Sequence, residues 1–316
     1  MSASGRFVSD YAEPRNWLEI TKETGMALGL QNTSQLLKLL QLDFSNTTII
    51  HVAGSNGKGT LCALLATNFT LIEQSNVLFS SPHLCRVEER IRVGGVPVSA
   101  DVFDEAVKKI RLVSLTSNIT PTFFEVTFLA AMTIASEQNV KFLILETGLG
   151  GRLDATRCAP ADLALLTSIS LEHTDILGGE INQIIKEKAA IARPGKPILA
   201  RVMDTIDYQQ TVESVAQNCY QSILDEEKQP ALCHFIDIPD GITVRKEAHI
   251  LAEQALEILN QKSILKDVDG LLNWPGRLQR INLSSGHNLI LEAAHNPTGL
   301  EKIIPELINL ISTEYS

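Results

Sequence analysis

The sequence predicts an α/β fold, a doubly wound and mostly parallel sheet with a phosphate-binding loop. Three observations carry this. Short apolar or β-branched runs alternate with helical segments from Asn46 to Ala200, the order that builds parallel strands with helical crossovers. The first run ends in His51-Val-Ala-Gly-Ser-Asn-Gly-Lys-Gly-Thr60, a glycine turn between a strand and a helix. Hydroxyl, carboxylate and imidazole side chains then recur at strand ends, at Ser81, Glu146 and His173, where such sheets bind ligand.

From Tyr11 through Leu42 the apolar spacing is helical, in two segments, with Gly29 expected to stop the first and Met26 to Leu30 expected as a turn. Asn46 to Val52 suits a buried strand, and Leu61 to Phe69 a helix rich in alanine and leucine. Between them Gly54, Gly57 and Gly59 clear side chains from the backbone N–H groups, and the helix start adds partial positive charge. Lys58 can reach a β- or γ-phosphate as a point charge, and the Thr60 hydroxyl can join a Mg²⁺ shell. The loop departs from the strict G-x-x-x-x-G-K-[ST] pattern: Val52 replaces its first glycine and Gly59 separates Lys58 from Thr60.

Asn76 to Phe79 is a second strand, running into Ser80-Ser-Pro-His-Leu84 and then Glu89 to Val93. The serine pair suits either a turn or a hydroxyl site. Asp101 to Leu112 and Pro121 to Gln138 are helices, the second opening on Thr122-Phe-Phe-Glu125. Glu125 there complements the helix dipole, and Phe123 and Phe124 suit a core or a ring-stacking shelf. Val140 to Leu145 is a central strand that delivers Glu146, a carboxylate where a sheet following a phosphate loop holds catalytic Mg²⁺. Gly148, Gly150 and Gly151 permit close backbone approach, with Arg152 and Asp154 beside them for a polar ligand.

Leu163 to Thr167 forms a fourth strand, followed by His173, which reads as a second metal ligand or as a solvated loop residue. A helix over 180–192, a strand over 197–200, a helix over 208–219 and a strand over 233–238 follow, with a charged turn over 225–230. Glu247 to Gln261 is helical, Ile281 to Leu291 reads as a hairpin, and Gly299 to Ile311 is a last helix.

A formal charge of −10 argues against nucleic acid and anionic membranes as partners, so an anionic substrate must be held by local cations or a metal ion. The five cysteines are odd in number and never form a C-x-x-C pair, which suggests neither a disulfide framework nor a zinc site. The start of the chain lacks the apolar core of a secretory signal, and no apolar run has transmembrane length. The expectation is a cytoplasmic monomer that acts on small molecules.

Taken in order, HVAGSNGKGT, SSPHL with ERIRV, TFFE, LETGLGGRLDAT, TSISLEHTDILG, KEKAAIARPGKP, WPGRLQ and AHNP resemble the Mur-ligase superfamily, and within it the bifunctional dihydrofolate synthase/folylpolyglutamate synthase family. That resemblance implies an ATP-dependent ligase joining a pterin carboxylate, dihydropteroate or folate, to L-glutamate. It implies that Gly57, Lys58, Gly59 and Thr60 hold the ATP phosphates and that Ser81, Glu146 and His173 bind Mg²⁺. Lys188 falls on the lysine that this family carbamylates, turning an ammonium into a carboxylate-like group beside the metal. Lys58, Glu146, His173 and Lys188 would form the catalytic set. Ala27, Leu28, Gly29 and Leu30, Thr122 to Glu125, and Leu153, Asp154 and Ala155 match the pterin-binding segments. Arg277 matches a residue that reaches ATP from the second domain's side, and Glu292 stands for the usual aspartate before AHNP. Ala248 stands where the family has an adenine-side asparagine. The expected division is an ATP-binding domain over 1–284 and, over 285–316, the start of a C-terminal Rossmann-like domain, reduced to one strand and one helix.

Overall fold

The structure is a computed structural model that describes residues 13–25, 28–203, 207–219, 229–239, 241–268, 274–294 and 296–314. Helices α1 (Pro14–Ile20) and α2 (Gln31–Leu40) precede strand β1 (Thr48–Ala53), and α3 (Lys58–Leu71) follows it. Strands β2 (Asn76–Phe79), β3 (Ile91–Val93) and β4 (Val96–Pro97) come next, then helices α4 (Ala100–Ser117) and α5 (Phe123–Glu137). Strands β5 (Phe142–Glu146) and β6 (Leu163–Leu166) lead to α6 (Thr174–Leu177), α7 (Ile181–Ala189), β7 (Pro197–Arg201), α8 (Tyr208–Gln217) and β8 (Leu232–Ile236). The chain continues through α9 (Val244–Ile258), α10 (Leu265–Val268), the pair β9 (Gln279–Asn282) and β10 (Asn288–Leu291), and α11 (Pro297–Glu314).

Eight strands form one sheet in the order β4-β3-β2-β5-β1-β6-β7-β8. From β2 to β8 neighbouring strands run parallel, while β3 and β4 are antiparallel additions at one edge. Such central strands are covered on both faces and need no polar alternation. Ile49, Leu143 and Leu145 face one core cluster with α4 and α5, and Ala164, Leu166 and Ile198 face a second on the same side with α7 and α8. Ile50, Val52, Ile144 and Leu165 point the other way, onto α3, α9 and α10. The strand order reverses around β1, so the crevice that binds ligands in open α/β sheets opens beyond the ends of β1, β5 and β6.

The first expected helical stop differs. Gly25, at φ 68°, closes the short 3-10 turn Thr21–Thr24 that follows α1, while Gly29, at φ 158°, lies just before α2. Glycine is needed at residue 25 because the backbone there is left-handed. Strand β9 pairs antiparallel with β10 in a two-stranded sheet of its own. Helix α11 is tied to α9 through Lys302, whose Nζ donates to Glu247 Oε2 at 2.8 Å. That same carboxylate oxygen accepts from Arg201 Nη1 at 2.9 Å, and Glu247 Oε1 accepts from the Ser168 backbone N–H at 3.0 Å. No helix among the described residues is long and apolar enough to cross a membrane.

Candidate active site

The phosphate loop has the shape its glycines permit. Gly54 has φ 144°, and a Cβ there would sit 1.8 Å from Thr167 Oγ1, so no side chain fits between β1 and β6. Gly57, at φ 85°, is the N-cap of α3 and turns its helix-starting N–H groups toward the crevice. The loop is fastened from beneath: the Ser55 N–H donates to Ser168 O at 2.8 Å and Ser55 Oγ donates to Ser170 O at 3.2 Å. At its tip Asn56 Oδ1 accepts from Asn296 Nδ2 at 3.0 Å, which joins the loop to the start of α11.

Two ammonium groups converge inside this loop. Lys58 Nζ and Lys188 Nζ each donate to Gly54 O at 2.9 Å, and Lys188 Nζ also donates to Glu172 Oε1 at 2.6 Å. Lys188 is 1% exposed. Burial and the Lys58 cation bring its amine down to about 8, against the opposing pull of Glu172. Opposite them Glu146, at the tip of β5, is 5% exposed and accepts from the Ser81 backbone N–H at 3.2 Å. Burial pushes its carboxyl up, while Lys58 acts in the opposite sense.

A cavity of about 470 Å³ collects these groups. Gly57, Lys58, Gly59 and Thr60 line it on the loop side, and Ser81, Glu146, His173 and Lys188 on the strand-tip side. Arg277 and Glu292 close it from the segment flanking β9 and β10, where Arg277 Nη1 lies 3.4 Å from Glu292 Oε1 and the Leu278 N–H donates to Glu292 Oε2 at 2.9 Å. Among the described residues no group of three or more His, Cys, Asp and Glu gathers as a metal cluster. The donor set here is of another kind, one hydroxyl, one carboxylate and one imidazole facing a phosphate loop. It fits a divalent ion, because burial raises the Glu146 carboxyl even with Lys58, Arg277 and Arg90 nearby, and a bound cation would favour its charged form.

A second cavity, of about 440 Å³, lies beside the first. Leu28, Gly29, Thr122, Phe123, Phe124 and Glu125 line one part of it, and Leu153, Asp154 and Ala155 another. Leu30 is buried next to it but does not line it, its carbonyl accepting from Cys158 Sγ at 3.6 Å. Ala27, and His295 of the AHNP motif, lie outside the described residues. The Glu125 carboxylate caps its own helix, accepting from the Thr122 N–H at 2.7 Å, and also accepts from Thr33 Oγ1 at 2.7 Å. Phe124 meets Phe79 edge to face at 5.8 Å between centroids and crowds Gly148, where a Cβ would lie 2.6 Å from the ring. The two cavities share Ser81, Pro82, Gly148, Leu149 and His173 as a common wall.

Sequence reasoning assigned no role to Arg90 or Trp274. Arg90 is 8% exposed and lines the second cavity. Its Nε donates to His83 Nδ1 at 2.8 Å and its guanidinium stands 5.3 Å from the Phe123 ring centre. Burial brings it down to about 10, against the pull of Glu146, so it remains a cation in the wall of the second cavity. The clue was the placement of Arg90 and Arg92 just after a strand-end serine. Trp274 lines the first cavity and carries Arg92 at 4.8 Å over its ring. Ala248, by contrast, is buried in the core of α9, and Val244 and Arg245 of that helix face the cavity instead.

No family model matches the chain. A dihydrofolate synthase/folylpolyglutamate synthase from Bacillus subtilis is 31% identical over 324 residues, spanning 93% of this chain and 75% of that protein. The solved structure of E. coli FolC in complex with DHPP and ADP superposes with a TM-score of 0.80 at 27% identity, covering 95% of this chain and 75% of that one. A bifunctional folylpolyglutamate synthase/dihydrofolate synthase with Mn, AMPPNP and L-glutamate bound gives 0.77 at 27%, with the same coverage. With that identity across 93% of its length and a fold that superposes at a TM-score of 0.80, the chain belongs to the dihydrofolate synthase/folylpolyglutamate synthase family.

Proposed function

We propose that this protein is an ATP-dependent carboxylate–amine ligase that adds L-glutamate to dihydropteroate, and to folates, through an acyl phosphate. The observation that carries the reading is the common wall: an acid in the second cavity meets the phosphate cavity at Ser81, Gly148, Leu149 and His173. Relatives bound to ADP with DHPP, and to AMPPNP with L-glutamate and Mn, support the same pairing of ligands.

Gly57, Lys58, Gly59 and Thr60 hold the triphosphate, with Arg277 and Glu292 on its far side. Lys58 offsets charge on the transferring phosphoryl group. Leu28, Gly29, Thr122, Phe123, Phe124, Glu125, Leu153, Asp154 and Ala155 form the acid site and orient its carboxylate toward the γ-phosphorus. Ser81, Glu146 and His173 hold Mg²⁺, which when bound supplies Lewis-acid neutralisation of the phosphate oxygens. The carboxylate oxygen attacks phosphorus and ADP leaves; the glutamate amine then attacks the acyl carbonyl, loses a proton, and phosphate departs. Lys188, when carbamylated, presents a negative group to the metal in place of a second cation beside Lys58. Residues 1–284 form the ATP-binding domain and 285–316 belong to a second domain, the division falling in the turn between β9 and β10. Five free cysteines fit a reducing, cytoplasmic setting, and the acidic balance fits small-molecule partners and a monomer.

The test is release of ADP from MgATP and dihydropteroate with and without L-glutamate. Glutamate-dependent release is the expected result. Tight nucleotide binding without release, or turnover only with an unrelated carboxylic acid, would refute the assignment.

A further inference from the structure

A buried relay runs beneath the wall that both cavities share. His51, on β1, is fully buried on the face between Ile49 and Ala53. Its Nε2 lies 2.8 Å from Thr156 Oγ1 and 2.9 Å from Thr147 Oγ1. Thr156 Oγ1 donates to Asp154 Oδ1 at 2.5 Å, and the Thr156 N–H donates to the same oxygen at 3.0 Å. Asp154 Oδ2 accepts the backbone N–H of Gly148 at 3.0 Å and of Leu149 at 2.9 Å. Four donors therefore saturate this carboxylate, and two of them belong to the shared wall itself.

The proton count fixes the direction of the chain. A threonine hydroxyl has one proton, and that of Thr156 is committed to Asp154. Its oxygen must then accept from His51, so the imidazole is the neutral tautomer protonated at Nε2. Nδ1 carries the bare lone pair, and it is a buried atom without a hydrogen-bond partner. The opposite tautomer would bury an unpartnered N–H, the costlier arrangement. Protonating both nitrogens is disfavoured as well: burial, with Arg193 and Arg157 nearby, holds the imidazole well below its usual range.

We infer that His51 is a positioning residue for the acid substrate, acting through Thr156 and Asp154 to hold the Gly148–Leu149 backbone as the wall between acid and phosphate. The inference rests on the reading of the second cavity as the acid site. It assigns the histidine that opens the phosphate-loop sequence to the other substrate's side. None of the relay's hydrogen bonds reaches Gly57, Lys58, Gly59 or Thr60, the loop residues assigned to the triphosphate.

Amide hydrogen exchange and calorimetric binding on the full chain test it together. Thr156→Val and His51→Leu should each speed exchange of the Gly148 and Leu149 amides about tenfold, leave β2 and β6 amides unchanged, and weaken dihydropteroate binding about tenfold. MgATP binding should stay within about twofold of wild type, and His51→Gln, whose amide nitrogen can replace the Nε2 donor, should restore both readouts. Unchanged exchange at Gly148 and Leu149 overturns the relay, as does His51→Gln behaving like His51→Leu. If His51→Leu does not fold, Thr156→Val carries the test. Faster exchange with unchanged dihydropteroate affinity also overturns the inference, and Phe124→Ala then separates the causes. Weaker dihydropteroate binding in that control leaves the acid site standing and removes only the relay; unchanged binding removes the acid site too.

Discussion

Lys58→Ala tests the phosphate loop at the point where structure and chemistry separate most cleanly. In the folded chain Lys58 Nζ makes a 2.9 Å hydrogen bond to Gly54 O, and Lys188 Nζ holds the same carbonyl at the same distance. Removing Lys58 leaves that carbonyl satisfied, so the lost bond costs at most about 1 kcal/mol, and relief of ammonium repulsion offsets part of it. For a chain of this size the melting temperature should move by less than about 3 °C. Turnover should respond quite differently. A preorganised charge on the transferring phosphoryl group is worth about 3–4 kcal/mol, a fall of about 10²- to 10³-fold in kcat/KM for ATP. There is also a pH consequence. The Lys58 cation lowers both the Glu146 carboxyl and the Lys188 amine. Without it Glu146 binds its proton at higher pH, so the acid limb of the residual activity should move upward, and Lys188 should rise above about 8. The assays are glutamate-dependent ADP release across pH and a thermal melt. Turnover within threefold of wild type, or a large loss of melting temperature, would refute the assignment of Lys58 to phosphate.

Glu146→Gln should lose Mg²⁺-dependent turnover and yet melt higher than wild type at pH 7 in metal-free buffer. Burial holds this carboxyl above its ordinary range, so the folded chain keeps the proton longer than the unfolded chain, and stability falls as pH rises through that window. A lower melting temperature at pH 7 would contradict the sign. Gly148→Ala places a methyl 2.6 Å from the Phe124 ring and must push it into the second cavity, raising KM for dihydropteroate about tenfold, measured by initial rates. Glu247→Ala removes the carboxylate that binds Arg201, Lys302 and the Ser168 N–H, and should destabilise by about 3–5 kcal/mol in urea titration. A loss below about 1 kcal/mol would show that the carboxylate does not hold α11 to α9.

Much of this arrangement was legible because it is local. A glycine turn between a strand and a helix declares itself within ten residues, and the carboxylate and imidazole at Glu146 and His173 follow runs whose length and apolar content mark buried strands. Strand and helix order, the loop and the chemistry of the strand tips were therefore set by sequence alone. The insertion of β5 between β1 and β2 was not, since lateral order depends on which faces bury each other across long separations. Nor was the use of Glu125: its spacing from Thr122 announces a helix cap, but its second partner, Thr33, comes from a distant helix. Arg90 became part of a cavity wall only once β3 turned back against β2. The docking of α11 on the loop through Asn296 and Asn56, like the His51 relay, joins residues that are far apart in the chain. Periodicity records what a residue needs from solvent. Which buried polar atom it meets is decided by packing, because each such atom must find a partner among whatever the folded chain brings beside it.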